Sequence, residues 1–180
     1  KTIIVFGFGG SIIAPKLMFY ALQGKYGISK LDINFISNPD GVELINHFKK
    51  IDAEKTLFIV QSKSLNSPEI GILVKIARDW LYKKNCPLDL QHYHFAVVTS
   101  NIKKAHKLNF HNQKIFRIWN EIGGRFSIWS SISLTLAILI GKKNYYDFLD
   151  GACEMDSHYY DAEPIKNIPI VSALISVWNR

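Results

Sequence analysis

The sequence predicts an α/β protein in which a three-layer parallel sheet is flanked by helices and followed by extra C-terminal helices. Apolar, strand-like runs alternate with segments of helical spacing between residues 2 and 119, a pattern typical of βαβ units. These runs are almost continuously apolar, which indicates that helices cover both faces of the sheet. After residue 126 the remaining elements have the pattern of helices.

The first part of the chain contains two strand–helix units. The β-branched and aromatic run at 2–6 predicts the first strand, a glycine turn follows it, and helical spacing runs over 15–23. A second strand is predicted at 31–37. The helix that follows it begins at an N-cap residue, which is either Asn38 or Asp40.

The third strand is predicted at 56–61, where six residues in a row suit a buried strand. The long helix over 67–84 has Pro68 and Glu69 in its first turn, where both residue types are favoured. The remaining elements are two strands, at 92–100 and 114–119, and three helices, at 127–141, 145–156 and 168–178.

The charge of the chain points to an anionic partner but not to nucleic acid. The 180 residues carry a formal net charge of +7, which suits nucleic acid, an anionic membrane or small anionic substrates. The basic residues are scattered in doublets, and they form no basic stripe interleaved with aromatic residues. We interpret them as solvated surface and predict no nucleic-acid partner.

Composition indicates one globular domain in a reducing compartment. The chain is 48% hydrophobic, and its two cysteines, Cys86 and Cys153, lie far apart, so we expect free thiols and a cytoplasmic location. The longest apolar stretch, at 128–140, is interrupted by polar residues and is shorter than a membrane span of about 20 residues, so no membrane association is predicted. The chain lacks an initiator Met and stops on the apolar helix at 168–178, so we expect a segment of a longer protein.

The glycine turn "GFGGS", from Gly7 to Ser11, is not a dinucleotide fingerprint. The third glycine of that motif would fall at Ile12, and no acidic residue follows the second strand to hold a ribose. Two interpretations stay open. The turn either only needs flexible backbone, or it lets a ligand approach Gly9 and Gly10 while Ser11 offers a hydroxyl and an N–H.

A hydroxyl-rich loop, Ser62-Lys63-Ser64-Leu65-Asn66-Ser67, follows the third strand and is called the serine loop below. Ser67 suits an N-cap, and plain capping is one interpretation. The other is a phosphate site, since hydroxyls, loop N–H groups and a helix N-terminus are the donors that a phosphate monoester needs. No metal is required for this, and the Walker pattern for triphosphates is absent.

The stretch "NEIGGRFSIWSSIS" at 120–133 joins these features to a known family. Its "GGRFS" fits a signature of the glucose-6-phosphate isomerase family, which the chain resembles in order along its whole length. "GFGGSIIAPKL" is similar to the family's glycine turn, "TLFIVQSKSLNSPE" to its serine and threonine loop, and "HFAVVTSN" to its next strand. "FISNPDG", "GACEMDSHY" and "NIPIVSALISVW" also resemble family segments.

The resemblance implies a sugar-isomerase (SIS) domain, which is flavodoxin-like or Rossmann-like, over residues 1–180, as the first of two such domains. It implies a cytoplasmic homodimer of glycolysis and gluconeogenesis that interconverts glucose 6-phosphate and fructose 6-phosphate without a cofactor. Arg125 would stabilise charge near the reacting end of the sugar, because the enediolate intermediate needs a permanent cation. The sugar phosphate would be bound by Gly10, Ser11, Ser62, Lys63, Ser64, Asn66 and Ser67.

The resemblance also implies that part of the catalytic machinery lies outside this chain. The family's MESNGK-type segment with the catalytic base and its GTNGQHA-type segment with the ring-opening histidine are both absent. We therefore expect the chain alone to be inactive, and a non-catalytic SIS domain that senses a sugar phosphate is the alternative. The sequence departs from the family pattern at Ile12, Asn66 and Pro68, and His92-x-His94 is not assigned to a metal.

Overall fold

The computed structural model describes residues 1–26 and 31–180, without the side chains at 23, 25, 26, 124 and 125. Five parallel strands form one sheet in the order β2-β1-β3-β4-β5. The strands are β1 (Thr2–Gly7), β2 (Asp32–Ile36), β3 (Thr56–Gln61), β4 (Phe95–Thr99) and β5 (Ile115–Arg117). The predicted parallel α/β fold is thereby confirmed.

Helices follow the strands, but the helix at Ile102–Lys107 was not predicted, and the predicted helix at 127–141 begins as two 3-10 segments. The helices are α1 (Gly10–Tyr26), α2 (Gly41–Phe48), α3 (Pro68–Lys83), α4 (Ile102–Lys107), α5 (Leu134–Asp161) and α6 (Ile168–Trp178). Short 3-10 segments lie at Ala53–Lys55, Gln91–His94, Asn112–Lys114, Gly124–Trp129 and Ser131–Ser133. No described helix is long and apolar enough to cross a membrane.

Alternate strand residues face opposite layers of helices. On one face, Phe58 stacks between Phe6 and Phe95, with ring centroids 5.5 and 5.2 Å apart, and α2, α3 and α4 contribute to the same cluster. On the other face, the ring of Phe35 lies 5.3 Å from that of Phe19 in α1. Burial on both faces explains why the strand sequences are nearly continuously apolar.

The structure settles where α1 and α2 begin. Asp40 is the N-cap of α2, since its carboxylate accepts from Val42 N at 2.9 Å and Glu43 N at 3.0 Å, so the choice between Asn38 and Asp40 falls on Asp40. Helix α1 begins at Gly10, earlier than the predicted Pro15, which lies inside the helix. Pro15 stands in the second turn of α1, where it removes one backbone hydrogen bond and its ring crowds the carbonyl group four residues earlier, so the helix contains it at a cost in stability.

The fourth strand is shorter than predicted at its beginning. Residues Gln91–His94 form a 3-10 helix, and pairing with β3 starts only at Phe95 opposite Phe58. The Nδ1 atom of His92 bonds the carbonyl oxygen of Asp89 at 2.6 Å. This local bond accompanies a turn at the place where the sequence predicts the beginning of a strand at 92–100.

The chain forms two compact units, Lys1–Ile140 and Gly141–Arg180, and the boundary falls within α5 at Gly141, whose φ is 77°. In the second unit, the start of α6 is fixed to the end of α5. The buried Asn167 accepts from Ile170 N at 3.1 Å and donates to Tyr159 O at 2.8 Å, while His158 Nε2 accepts from Ile168 N at 3.1 Å. No residue of α6 is buried.

Candidate functional site

The strand register brings the glycine turn and the serine loop to the same edge of the sheet. Gly7, the last residue of β1, pairs with Gln61, the last residue of β3, and Gln61 pairs with Val98 near the end of β4. The chain connectivity reverses its direction across the sheet between β1 and β3. In open parallel sheets, ligands bind beside the carboxyl ends of strands at such a switch point.

The glycine turn contains two positions that favour glycine for different reasons. A Cβ atom on Gly7 would lie 3.1 Å from the carbonyl oxygen of Gln61, and Gly9 has a φ of +54°, which favours glycine. The N–H of Ser11 donates to Phe8 O at 3.3 Å. Ser11, in the first turn of α1, therefore offers a ligand its hydroxyl rather than a free amide.

Two hydroxyl groups of the serine loop accept hydrogen bonds from the backbone of the same loop. Ser62 Oγ accepts from Leu65 N at 3.1 Å, and Ser64 Oγ accepts from Asn66 N at 3.2 Å. Because each hydroxyl accepts a backbone N–H, its own proton is left to donate elsewhere. Leu65 has a φ of 56° and is only 2% exposed, so a buried side chain holds the loop in a left-handed turn that leucine rarely adopts.

Ser67 occupies the N-cap position of α3, but its side chain makes no capping hydrogen bond. Pro68 is the first helical residue and has no N–H to satisfy. The positive end of the α3 dipole thus lies next to a hydroxyl that the helix does not use. This arrangement favours the phosphate interpretation of the loop over the capping interpretation.

The last residue of β4 and the two residues after it, which the sequence analysis did not assign, hold the serine loop in place. Lys63 O accepts from Thr99 Oγ1, Ser100 Oγ and Ser100 N, each at 2.9 Å. Asn101 Nδ2 donates to Ser64 O at 3.2 Å. The signal was present in the sequence as a polar run after a buried strand, the same signal that had pointed to the serine loop.

Lysine side chains connect the serine loop to its neighbours. Lys63 Nζ donates to Asn120 O at 2.7 Å, which links the loop to the segment that leads to "GGRFS". Lys104 Nζ donates to Asn66 Oδ1 at 2.9 Å. A cavity of about 350 Å³ at this edge is lined by Ser64, Ser100, Asn101, Ile102, Lys103 and Asn120.

The "GGRFS" stretch forms the 3-10 helix Gly124–Trp129, which packs against α1. The side chain of the predicted catalytic residue, Arg125, lies outside the described part of the structure. After this 3-10 helix, the carbonyl oxygen of Ile132 accepts from Gln61 Nε2 at 2.6 Å, so the stretch is fixed to the end of β3. The 3-10 helix thus packs on α1, and the segment after it is fixed to the end of β3.

A larger cavity, of about 500 Å³, lies away from this edge, at the amino ends of β4 and β5. Its lining includes Arg78, His92, His106 and His111 and none of the predicted site residues. Arg78 Nη2 donates to Leu108 O at 2.6 Å, and burial lowers the pKa of its guanidinium. Among the described residues, no group of three or more His, Cys, Asp or Glu is arranged to hold a metal ion.

The strand order and the loops at the switch point define a doubly wound α/β protein of the flavodoxin-like type, with its candidate site at the carboxyl edge of the sheet. The model of the phosphoglucose isomerase family matches residues 1–180, and the chain belongs to this family. The resemblance found in the sequence is therefore confirmed.

Individual relatives agree with the family model. The chain is 38% identical over 178 residues to a glucose-6-phosphate isomerase of Laribacter hongkongensis and 38% identical over 176 residues to one of Shewanella amazonensis. These matches cover 99% and 98% of this chain but 32% of each relative. A crystal structure of a glucose-6-phosphate isomerase from Chlamydia trachomatis superposes with a TM-score of 0.88 at 32% identity, covering 99% of this chain and 34% of that one. The chain thus spans about a third of the length of these relatives.

Proposed function

We propose that the protein carrying this chain is a glucose-6-phosphate isomerase that interconverts glucose 6-phosphate and fructose 6-phosphate. The observation that carries the proposal is the similarity of the whole chain to relatives of that name, at 38% identity. The donors at the carboxyl edge of the sheet support it, because a sugar phosphate needs a site rich in hydroxyl and amide donors.

In this proposal, the serine loop binds the phosphate group. Ser62, Ser64 and Ser67 offer hydroxyl protons, Lys63 and Asn66 add a charge and an amide, and the N-terminus of α3 adds its dipole. Gly10 and Ser11 contact the sugar phosphate from the neighbouring strand. Binding energy from this remote group holds the sugar in position for the chemistry at its other end.

Arg125 acts at the reacting end of the sugar. Aldose–ketose isomerisation removes a proton next to a carbonyl group and places negative charge on an enediolate. A guanidinium stays charged and stabilises that intermediate. The base that moves the proton and the histidine that opens the ring belong to segments outside these 180 residues, so the chain alone is expected to show no turnover.

The larger context belongs to the same proposal. Residues 1–180 act as one SIS-type domain of a protein with two such domains, which works as a cytoplasmic homodimer in glycolysis and gluconeogenesis. It takes sugar phosphates as ligands and needs no cofactor, nucleic acid or membrane.

The proposal is tested with the full protein and its Arg125→Ala and Arg125→Lys variants. We expect the unaltered protein to convert fructose 6-phosphate to glucose 6-phosphate, and Arg125→Ala to lower kcat about 100- to 1,000-fold. Fructose 6-phosphate binding should persist in the variant, because the phosphate donors are unchanged. Binding without turnover by the unaltered protein would instead establish the alternative, a non-catalytic domain that senses a sugar phosphate.

A further inference from the structure

The serine loop is held from the β4 side by an unusual concentration of donors on one carbonyl group. Lys63 O accepts three hydrogen bonds of 2.9 Å, from Thr99 Oγ1, Ser100 Oγ and Ser100 N. A carbonyl oxygen has two lone pairs, so three donors exceed its usual complement. We call Thr99, Ser100 and Asn101 the β4 clamp.

The clamp fixes the direction of the next amide. The peptide bond between Lys63 and Ser64 is trans, so the N–H of Ser64 points opposite to the carbonyl group of Lys63. The carbonyl points towards β4, and β1 lies on the other side of β3 in the sheet. The Ser64 N–H, which bonds no described residue, is therefore directed to the side of the glycine turn.

We propose that Thr99, Ser100 and Asn101 are positioning residues for phosphate binding, an inference that rests on the proposed function. They do not touch the phosphate. The hydrogen bonds that Thr99 and Ser100 donate to Lys63 O prevent the Lys63–Ser64 peptide from rotating. The opposite orientation would present a carbonyl oxygen to the dianion where a donor is needed. The loop has its binding shape before the ligand arrives, which lowers the free-energy cost of binding.

Thr99 and Asn101 each use both hydrogen-bonding functions of their side chains. The hydroxyl of Thr99, which is fully buried, donates to Lys63 O and accepts from Asn101 N at 3.1 Å. Asn101 Oδ1 accepts from Lys104 N at 3.0 Å as the N-cap of α4, and its Nδ2 donates to Ser64 O. Serine could replace Thr99 and keep both bonds, whereas serine at 101 would keep the cap and lose the donor.

The test uses the full protein, with inorganic phosphate and fructose 6-phosphate as ligands. We expect the double variant Thr99→Val with Ser100→Ala to bind both ligands about 10-fold more weakly, because it leaves only one donor on Lys63 O. The KM for fructose 6-phosphate should rise more than kcat falls. The single variant Thr99→Ser should bind both ligands within about 2-fold of the unaltered protein, since it keeps the hydroxyl.

Asn101→Ser is a second test that spares the buried hydroxyl and adds no charge beside the dianion; it should weaken phosphate binding severalfold, because serine can still cap α4 but lacks the Nδ2 donor to Ser64 O. Asp40→Ala, which removes the remote cap of α2, serves as a control for lost stability and should leave phosphate affinity unchanged. If the clamp variants bind phosphate as tightly as the unaltered protein does, the positioning role is wrong although the proposed function stands. If the unaltered protein binds neither ligand, the positioning role and the proposed function are both wrong.

Discussion

The hydroxyl of Ser67 allows the two interpretations of the serine loop to be separated by one substitution. A serine that caps a helix through its side chain contributes about 1 kcal/mol to stability. The side chain of Ser67 makes no such bond, so Ser67→Ala should change the free energy of unfolding by less than about 0.5 kcal/mol. If Ser67 donates to the phosphate instead, the loss appears in ligand affinity.

The expected loss of affinity follows from the charge of the acceptor. A hydrogen bond to a charged group contributes about 1.5–3 kcal/mol, and each 1.4 kcal/mol corresponds to a factor of ten. Ser67→Ala should therefore weaken binding of fructose 6-phosphate about 10- to 150-fold. Unphosphorylated fructose has no phosphate for Ser67 to contact, so the large difference between the two ligands should shrink in the variant.

Asp40→Ala is the matched control, because Asp40 accepts two backbone N–H groups at the start of α2. It should lower the free energy of unfolding by about 1–2 kcal/mol and leave affinity unchanged. Urea unfolding measures stability, and calorimetric titration with fructose 6-phosphate measures affinity, both in the full protein. A Ser67→Ala variant that loses as much stability as Asp40→Ala and binds normally would refute the phosphate interpretation.

Further expectations concern the glycine turn and a thiol. Gly7→Ala should lower the free energy of unfolding by about 1–3 kcal/mol, because its Cβ would meet the backbone oxygen of Gln61 at 3.1 Å. An added Cβ at Gly9 would meet no atom within 4 Å, but the φ of Gly9 is positive, so Gly9→Ala should lower the free energy of unfolding by only about 1 kcal/mol. If urea unfolding shows Gly9→Ala to be more destabilising than Gly7→Ala, the steric role given to Gly7 is wrong. Burial, followed by the negative charge of Asp89, raises the pKa of the Cys86 thiol. Alkylation of Cys86 by iodoacetamide, followed by mass spectrometry, should therefore be slow at neutral pH and accelerate as the pH rises, and Asp89→Asn should accelerate it at neutral pH. An unchanged rate in Asp89→Asn would exclude that influence.

The sequence predicts the strands well because burial on both faces leaves a simple apolar signal. It predicts element ends less well, as at His92, where a local bond accompanies a turn that the pattern assigned to β4. The helical spacing at 15–23 also misses the first turn of α1, which begins at Gly10 inside the glycine turn.

The sequence predicts the separate loops of the candidate site, but it does not predict the contacts that hold those loops in place. Ser62, Ser64 and Ser67 stand out because a buried strand does not require hydroxyls after it. Thr99 could not be recognised as a partner of Lys63, because the order of the strands decides which loops are neighbours and periodicity does not encode that order. The sequence shows which loops carry hydrogen-bond donors, while the strand order and register show which of these loops are neighbours.

The register of β1, β3 and β4 also links ligand binding to folding. Thr99 and Lys63 are 36 residues apart, and Ser11 follows a third strand, so the proposed site is complete only when the sheet is complete. A compound that binds only the folded form adds about 2.7 kcal/mol of stability at 100 times its dissociation constant. If the sugar phosphate is that compound, it would stabilise the completed sheet over partly assembled forms. The resistance of the protein to proteolysis would then rise with the concentration of the sugar phosphate.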